Sequence, residues 1–138
     1  MDISRNKSHY IIMTVIYNEL LDHSIGNEQY FRDANELIEE ISETQFDEVD
    51  DFIKNSVALS LKNYGKALDA IKPLLVGWEW ERIPLLTRAI LIMSYTHFYF
   101  VEKVDKKVVI NIALDLAKKY IDLKQAKFIN AILDGVLK

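Results

Sequence analysis

The stretch Asp105-Lys106-Lys107-Val108-Val109-Ile110-Asn111-Ile112-Ala113-Leu114-Asp115-Leu116-Ala117-Lys118-Lys119-Tyr120 decides the fold class. Val109, Ile112, Ala113, Leu116, Ala117 and Tyr120 follow i, i+3, i+4, i+7, i+8 and i+11, one face of a helix of about 3.6 residues per turn. Asp105 stands where a capping side chain is needed for the first free N–H groups. Outward from this helix the period persists. Downstream, a seventh helix from about Gln125 to Leu137 carries Ile129, Ile132, Leu133 and Val136. Upstream, a fifth helix places Leu86, Ala89, Ile90, Met93, His97 and Phe100 on one stripe, with Pro84 suited to its first turn. The segment from Ile83 to Phe100 is the most apolar of the chain, but Arg88 and His97 interrupt it, so it reads as a buried helix and not a membrane span.

The N-terminal half continues the pattern. Ser4 or Asp2 can cap a first helix running to about Asp22, with Ile12, Val15, Ile16 and Leu20 inward. His23-Ser24-Ile25-Gly26-Asn27 reads as a break, and a second helix spans roughly Glu28 to Ile41. Ser42 to Phe46 is polar and reads as loop. A third helix from about Val49 to Asn63 turns Phe52, Ile53 and Val57 inward, and Tyr64-Gly65 reads as its stop. A short fourth helix, Lys66 to Leu75, ends near Gly77. No segment alternates with period two, and no repeat or linker interrupts the chain. The expectation is an all-α bundle of about seven helices.

Bulk composition agrees. The chain has 138 residues, 50% of them hydrophobic and 28% charged, with two prolines and four glycines. That length suits one domain with a core of its own. Cysteine is absent, which excludes disulfides and thiolate metal sites and suits a reducing compartment. The opening Met1-Asp2-Ile3-Ser4-Arg5 lacks the apolar run of a signal peptide, so a cytoplasmic location is expected.

The net charge of −4 argues against nucleic-acid binding driven by total charge, but the distribution is polarised. Between Glu28 and Asp51 acids dominate, opposed by Arg32 alone. Between Lys103 and Lys138 lysines dominate, opposed by Asp105, Asp115, Asp122 and Asp134. Such a basic region forms either a local anion site or a solvated helix face.

Catalytic patterns are missing. His9, His23 and His97 stand too far apart for a metal-ligand spacing, and His97 on an apolar stripe reads as a satisfied core histidine. The isolated glycines form no phosphate loop. Glu39 and Glu40 do not face each other on a helix, so they read as a solvated face and not a carboxylate pair. Trp78 and Trp80 read as packing at the junction of two helical halves, ahead of ligand stacking. The chain therefore reads as a non-enzyme without cofactor or metal.

Several segments resemble the NusB family. Ile110-Asn111-Ile112-Ala113-Leu114-Asp115-Leu116-Ala117-Lys118 is similar to that family's "INEAxELAK" helix. Lys127-Phe128-Ile129-Asn130-Ala131-Ile132-Leu133-Asp134 is similar to its "KFVNGVLD" helix. Trp80-Glu81-Arg82-Ile83-Pro84 with Arg88-Ala89-Ile90-Leu91 resembles its "W..RLP…RAIL" segment. Ser4-Arg5 through Val15-Ile16-Tyr17 resembles its "SRRKARELALQALY" opening. The matches run in order over nearly the whole chain.

This resemblance implies two helical subdomains, roughly 1–76 and 77–138. It also implies a factor that pairs with the ribosomal protein NusE, binds boxA RNA and joins an RNA polymerase antitermination complex, notably in ribosomal RNA operons. A similar domain occurs fused to ribosomal RNA methyltransferases; with nothing following it here, a stand-alone factor is expected. Two other roles fit: a protein-interaction module that has lost RNA binding, or a separate helper of such a methyltransferase.

Position by position, the resemblance implies RNA contacts at Arg5, Lys7, His9, Lys124, Lys127 and Phe128. Lysine suits a phosphate, and phenylalanine can stack an unpaired base or pack the helix start. Tyr17 and Glu81 match positions that meet NusE, although Tyr17 equally suits helix packing. The chain also departs from the family. Asn6 and His9 replace basic residues, Lys124 replaces an acid, Thr87 replaces a partner-binding glutamate, and Ile92 and Ile112 replace charges. Those apolar replacements predict a more buried or differently contacted surface.

Overall fold

The computed structural model describes residues 4–24 and 33–138. Seven α-helices follow in chain order: α1 Arg5–Ser24, α2 Ala34–Ser42, α3 Asp51–Lys62, α4 Tyr64–Ile71, α5 Leu85–Thr96, α6 Lys106–Tyr120 and α7 Leu123–Val136. Short 3-10 turns cover Phe46–Glu48, Lys72–Leu74 and Trp80–Arg82, and a π turn, His97–Val101, closes α5. No strand occurs among the described residues. The all-α expectation therefore stands.

Helix starts are set by short polar side chains that accept from otherwise unpaired N–H groups. The Ser4 hydroxyl accepts from Lys7 N. Asp33, Asp50, Asp105 and Asp122 do the same for α2, α3, α6 and α7. Asp33 holds an extended backbone as the cap of α2. The second helix thus starts at Ala34, and the expected portion from Glu28 to Arg32 lies outside the described residues, as does most of the break expected around Gly26. Ser42 closes α2 instead of opening a loop.

The junction between α3 and α4 differs from expectation. Tyr64 and Gly65 do not stop a helix; they form the first turn of α4. The break sits at Asn63, whose backbone N–H and side-chain amide both donate to Leu59 O. A side chain that competes for its own helix's carbonyls thus ends α3. Among the described glycines only Gly77 has a positive φ, +79°, so the turn before Trp78 uses the freedom that a missing Cβ allows. Pro84 immediately precedes α5 and does not lie inside it.

α5 is the central helix. Thr87 through Ser94 are buried without a gap, so two full turns are covered on every side, the condition of a core helix. It packs against α1, α3 and α4 on one side and against α6 and α7 on the other. One continuous apolar core results, reaching from Ile12, Val15 and Ile16 through Ile53 and Val57 to Ala113, Ile129 and Leu133. Ile92, which replaces a family charge, is 1% exposed within it.

Arg88, Trp80 and His97 keep polar atoms paired inside this core. Arg88 Nε donates to Ile83 O at 2.9 Å, and its guanidinium lies 5.9 Å from the Trp80 ring centroid. Trp80 is buried, and its Nε1–H donates to the Tyr64 hydroxyl at 3.2 Å. His97 is buried with Nε2 2.7 Å from Glu102 Oε2, the satisfied core histidine expected. No helix is long and apolar enough to cross a membrane among the described residues.

Candidate nucleic-acid interface

Of the eight lysines between Lys103 and Lys138, four, Lys118, Lys119, Lys124 and Lys127, lie at the corner where α6 meets α7, whereas Lys106 pairs with Asp134 at the far end of the two helices. Asp122 Oδ1 accepts from Gln125 N at 2.7 Å and starts α7. No acid follows in the first turn of α7. Lys124, Lys127 and Phe128 then fall at i, i+3 and i+4, on one helix face. Both lysines are exposed. Phe128 is half-buried: its base packs on the core, and its edge meets Trp78 with ring centroids 6.0 Å apart and planes at 62°. Lys124, Gln125 and Phe128 from α7, with Trp78, Ile83 and Pro84 from the connection before α5, line an open cleft of about 70 Å3.

The two tryptophans therefore part company. Trp80 packs at the helical junction as expected, whereas Trp78 is 55% exposed. From the sequence, both are expected to pack. The signal that separates them is Gly77, whose turn carries the chain out to the surface just before Trp78.

The start of α1 carries the other basic candidates. Arg5 is exposed, with its guanidinium 3.7 Å from the Phe52 ring centroid and one nitrogen 3.0 Å from Glu102 Oε2. That ion pair, with His97 on the same oxygen, holds the Glu102 carboxyl below its ordinary range. Lys7 is exposed beside Tyr10, 5.4 Å from its ring centroid. It also borders a groove that contains Glu48 and Asp50.

His9 differs from its expected role as an RNA contact. It is 6% exposed and sits against Phe52 and His97, at centroid distances of 5.8 and 6.2 Å. Burial, with the charges of His97 and Arg5, lowers its pKa to about 4. At neutral pH His9 has no charge to offer a phosphate.

A bridge between α1 and the α6–α7 corner was not foreseen. Tyr10 and Tyr120 pack with centroids 5.2 Å apart, and Lys119 Nζ lies 5.4 Å from the Tyr120 centroid. Tyr120 belongs to the rim of the core and not to its interior. The period that placed it inward is correct, but it stands in the last turn of α6, where the core ends. Ile112 lines a shallow cavity beside it, with Asn6, His9, Asp115 and Lys119.

Tyr17 is half-buried against the core, and Glu81 is exposed on the 3-10 turn before α5. Thr87, where the resemblance implies a glutamate that meets the partner, is fully buried, and its hydroxyl donates to Gln125 Oε1 at 2.8 Å. It ties α5 to α7 and has no surface to offer a partner. Among the described residues no group of acids and histidines is arranged to hold a metal ion.

Fold and surface together describe an all-helical protein in which the α6–α7 corner exposes lysines beside aromatic rings. The NusB family profile matches residues 6–138, and the chain belongs to the NusB family of transcription antitermination proteins. Transcription antitermination protein NusB of Fusobacterium nucleatum is 34% identical over 109 residues, 79% of this chain and 68% of that protein. The protein of the same name from Clostridium botulinum (strain Loch Maree) is 28% identical over 141 residues, 98% of this chain and 100% of that one. Among solved structures, T. maritima NusB superposes with a TM-score of 0.75 at 20% identity, over 99% of this chain and 92% of its own.

Proposed function

We propose that this chain is a cytoplasmic transcription antitermination factor that binds boxA-type RNA together with ribosomal protein NusE and acts in an RNA polymerase antitermination complex, notably on ribosomal RNA operons. The observation that carries the RNA part is the common α7 face of Lys124, Lys127 and Phe128. Two cations flank an aromatic ring that is partly open to solvent, and single-stranded RNA is held by phosphate neutralisation and base stacking. Phosphates meet Lys124 and Lys127, and Arg5 and Lys7 at the start of α1. Glu102 competes for Arg5, so an RNA phosphate must displace a carboxylate there. Tyr17 and Glu81 face the NusE subunit.

So few cations give weak, salt-sensitive binding by this chain alone, and a partner that adds contacts to the same RNA raises the affinity. Fluorescence anisotropy of a labelled boxA RNA and a scrambled control, with and without NusE at two salt concentrations, tests this. The expected result is boxA-selective binding that tightens with NusE, and a loss of affinity in Lys127→Ala with unchanged folding.

A second reading is a protein-interaction module without RNA binding. The pairing of Arg5 with Glu102 and the acids near Lys7 favour it, because they subtract from an already small set of cations. Normal NusE binding, with no RNA bound by the pair, would select this reading.

A further inference from the structure

We infer that Trp78 and Phe128 form a receptor for one unpaired RNA base, and that Gln125 reads the edge of that base; this rests on the RNA-binding role proposed above. Trp78 is 55% exposed although it is among the largest apolar side chains of the protein. Its ring is not loose: the edge contact with Phe128, at 62° between planes, makes an L-shaped corner. A planar ring stacked on one of these faces meets the edge of the other, the arrangement aromatic systems prefer. The cleft between them is open and holds only about 70 Å3, which suits a base lying across its mouth more than a ligand enclosed within it.

The chemistry around the corner selects a nucleotide over an apolar partner. Lys124 is the charged residue lining the cleft, and Lys127 follows on the same face of α7, so cations stand where the phosphates flanking a stacked base would pass. Gln125 adds direction. Thr87 Oγ1 donates to its Oε1 at 2.8 Å, so the carbonyl end of the amide is engaged inside the protein. Gln125 lines the cleft, so its NH2 end is the donor left for a ligand there. The base it reads presents an acceptor, such as a carbonyl oxygen or an unprotonated ring nitrogen. Thr87, anchored in α5, is the positioning residue for this amide.

The protein contains two tryptophans, and Trp80 is buried, so quenching of emission by a bound base reports on Trp78. The experiment titrates the full chain, with NusE present, with the boxA oligoribonucleotide single-stranded and then annealed to its complement. Single-stranded RNA is expected to quench the emission and the duplex is not. Trp78→Ala should weaken binding by about 5- to 150-fold, the range for loss of one stacked base. Trp78→Phe, which keeps an aromatic face, should recover most of that loss, and Trp78→Ala should leave the far-ultraviolet circular dichroism and melting unchanged. Wild-type affinity in Trp78→Ala, with Lys127→Ala still weakened, would overturn the base receptor and leave the RNA reading in place. Quenching by NusE alone, with no further change on adding RNA, would overturn it in favour of a protein-binding cleft. No RNA binding by the wild-type pair would remove both readings.

Discussion

Lowering the pH from 7 to 5 protonates a free histidine but leaves most carboxylates ionised. His9 should resist that change, because burial and neighbouring positive charge lower its pKa from 6.5 to about 4. In this interval the unfolded chain binds a proton that the folded chain refuses. The stabilising effect of a neutral His9 is therefore fully present above pH 6.5 and is lost as the pH falls toward 4. The whole interval between the two pKa values corresponds to about 3 kcal/mol, and about 2 kcal/mol of it is already lost at pH 5. Urea denaturation followed by circular dichroism at pH 7 and pH 5 measures the difference. The control is His9→Gln, which removes the titrating group while His23 and His97 remain. The variant should lose about 2 kcal/mol less than the wild type between the two pH values, whatever its stability at pH 7. An equal loss in both proteins, or a His9 resonance titrating near 6.5 by NMR, would refute the argument that His9 is enclosed.

Three further outcomes follow from the packing and the caps. Ile90→Ala removes a fully buried side chain from the central helix and should cost about 2–5 kcal/mol in urea denaturation. Asp122→Ala deletes the bond to Gln125 N that starts α7; a loss of about 1 kcal/mol is expected, and a larger drop in RNA affinity would show that the lysine face depends on this cap. Glu102→Gln keeps a hydrogen-bonding group beside His97 but removes the charge that holds Arg5. It should tighten RNA binding up to about fivefold at low salt, in line with the weakness of exposed ion pairs, with the gain vanishing as salt rises; anisotropy at two ionic strengths reads this.

The helices were legible because their information is local. The stripe from Val109 to Ala117 needs only a period to be seen, and capping by Asp105 needs only a short carboxylate before an apolar run. The misreading at Tyr64-Gly65 has a physical origin. Glycine stops a helix when it takes the left-handed conformation, but Gly65 has no positive φ, and Asn63 ends α3 through its own side chain. In the candidate interface, Lys124, Lys127 and Phe128 were named by the family resemblance, and their common face follows from one helix carrying all three. Trp78 and Tyr10 were not, because each joins the surface through a residue distant in sequence: Phe128 for Trp78, Tyr120 for Tyr10.

By itself the sequence determined the all-helical class, the order of the seven helices and most of the inward faces, because apolar periodicity and capping act between residues a few positions apart. It also carried the family resemblance, which is a matter of residue types in order. Only the tertiary structure decided which polar residues face water. Histidine and arginine near the start of a basic helix look alike as phosphate contacts, yet Arg5 is exposed and His9 is enclosed by Phe52 and His97. Trp78 and Trp80, two residues apart, end on opposite sides of the surface. Burial depends on what the rest of the chain brings alongside, and the charge state of His9 and the openness of Trp78 follow from that packing and not from local pattern.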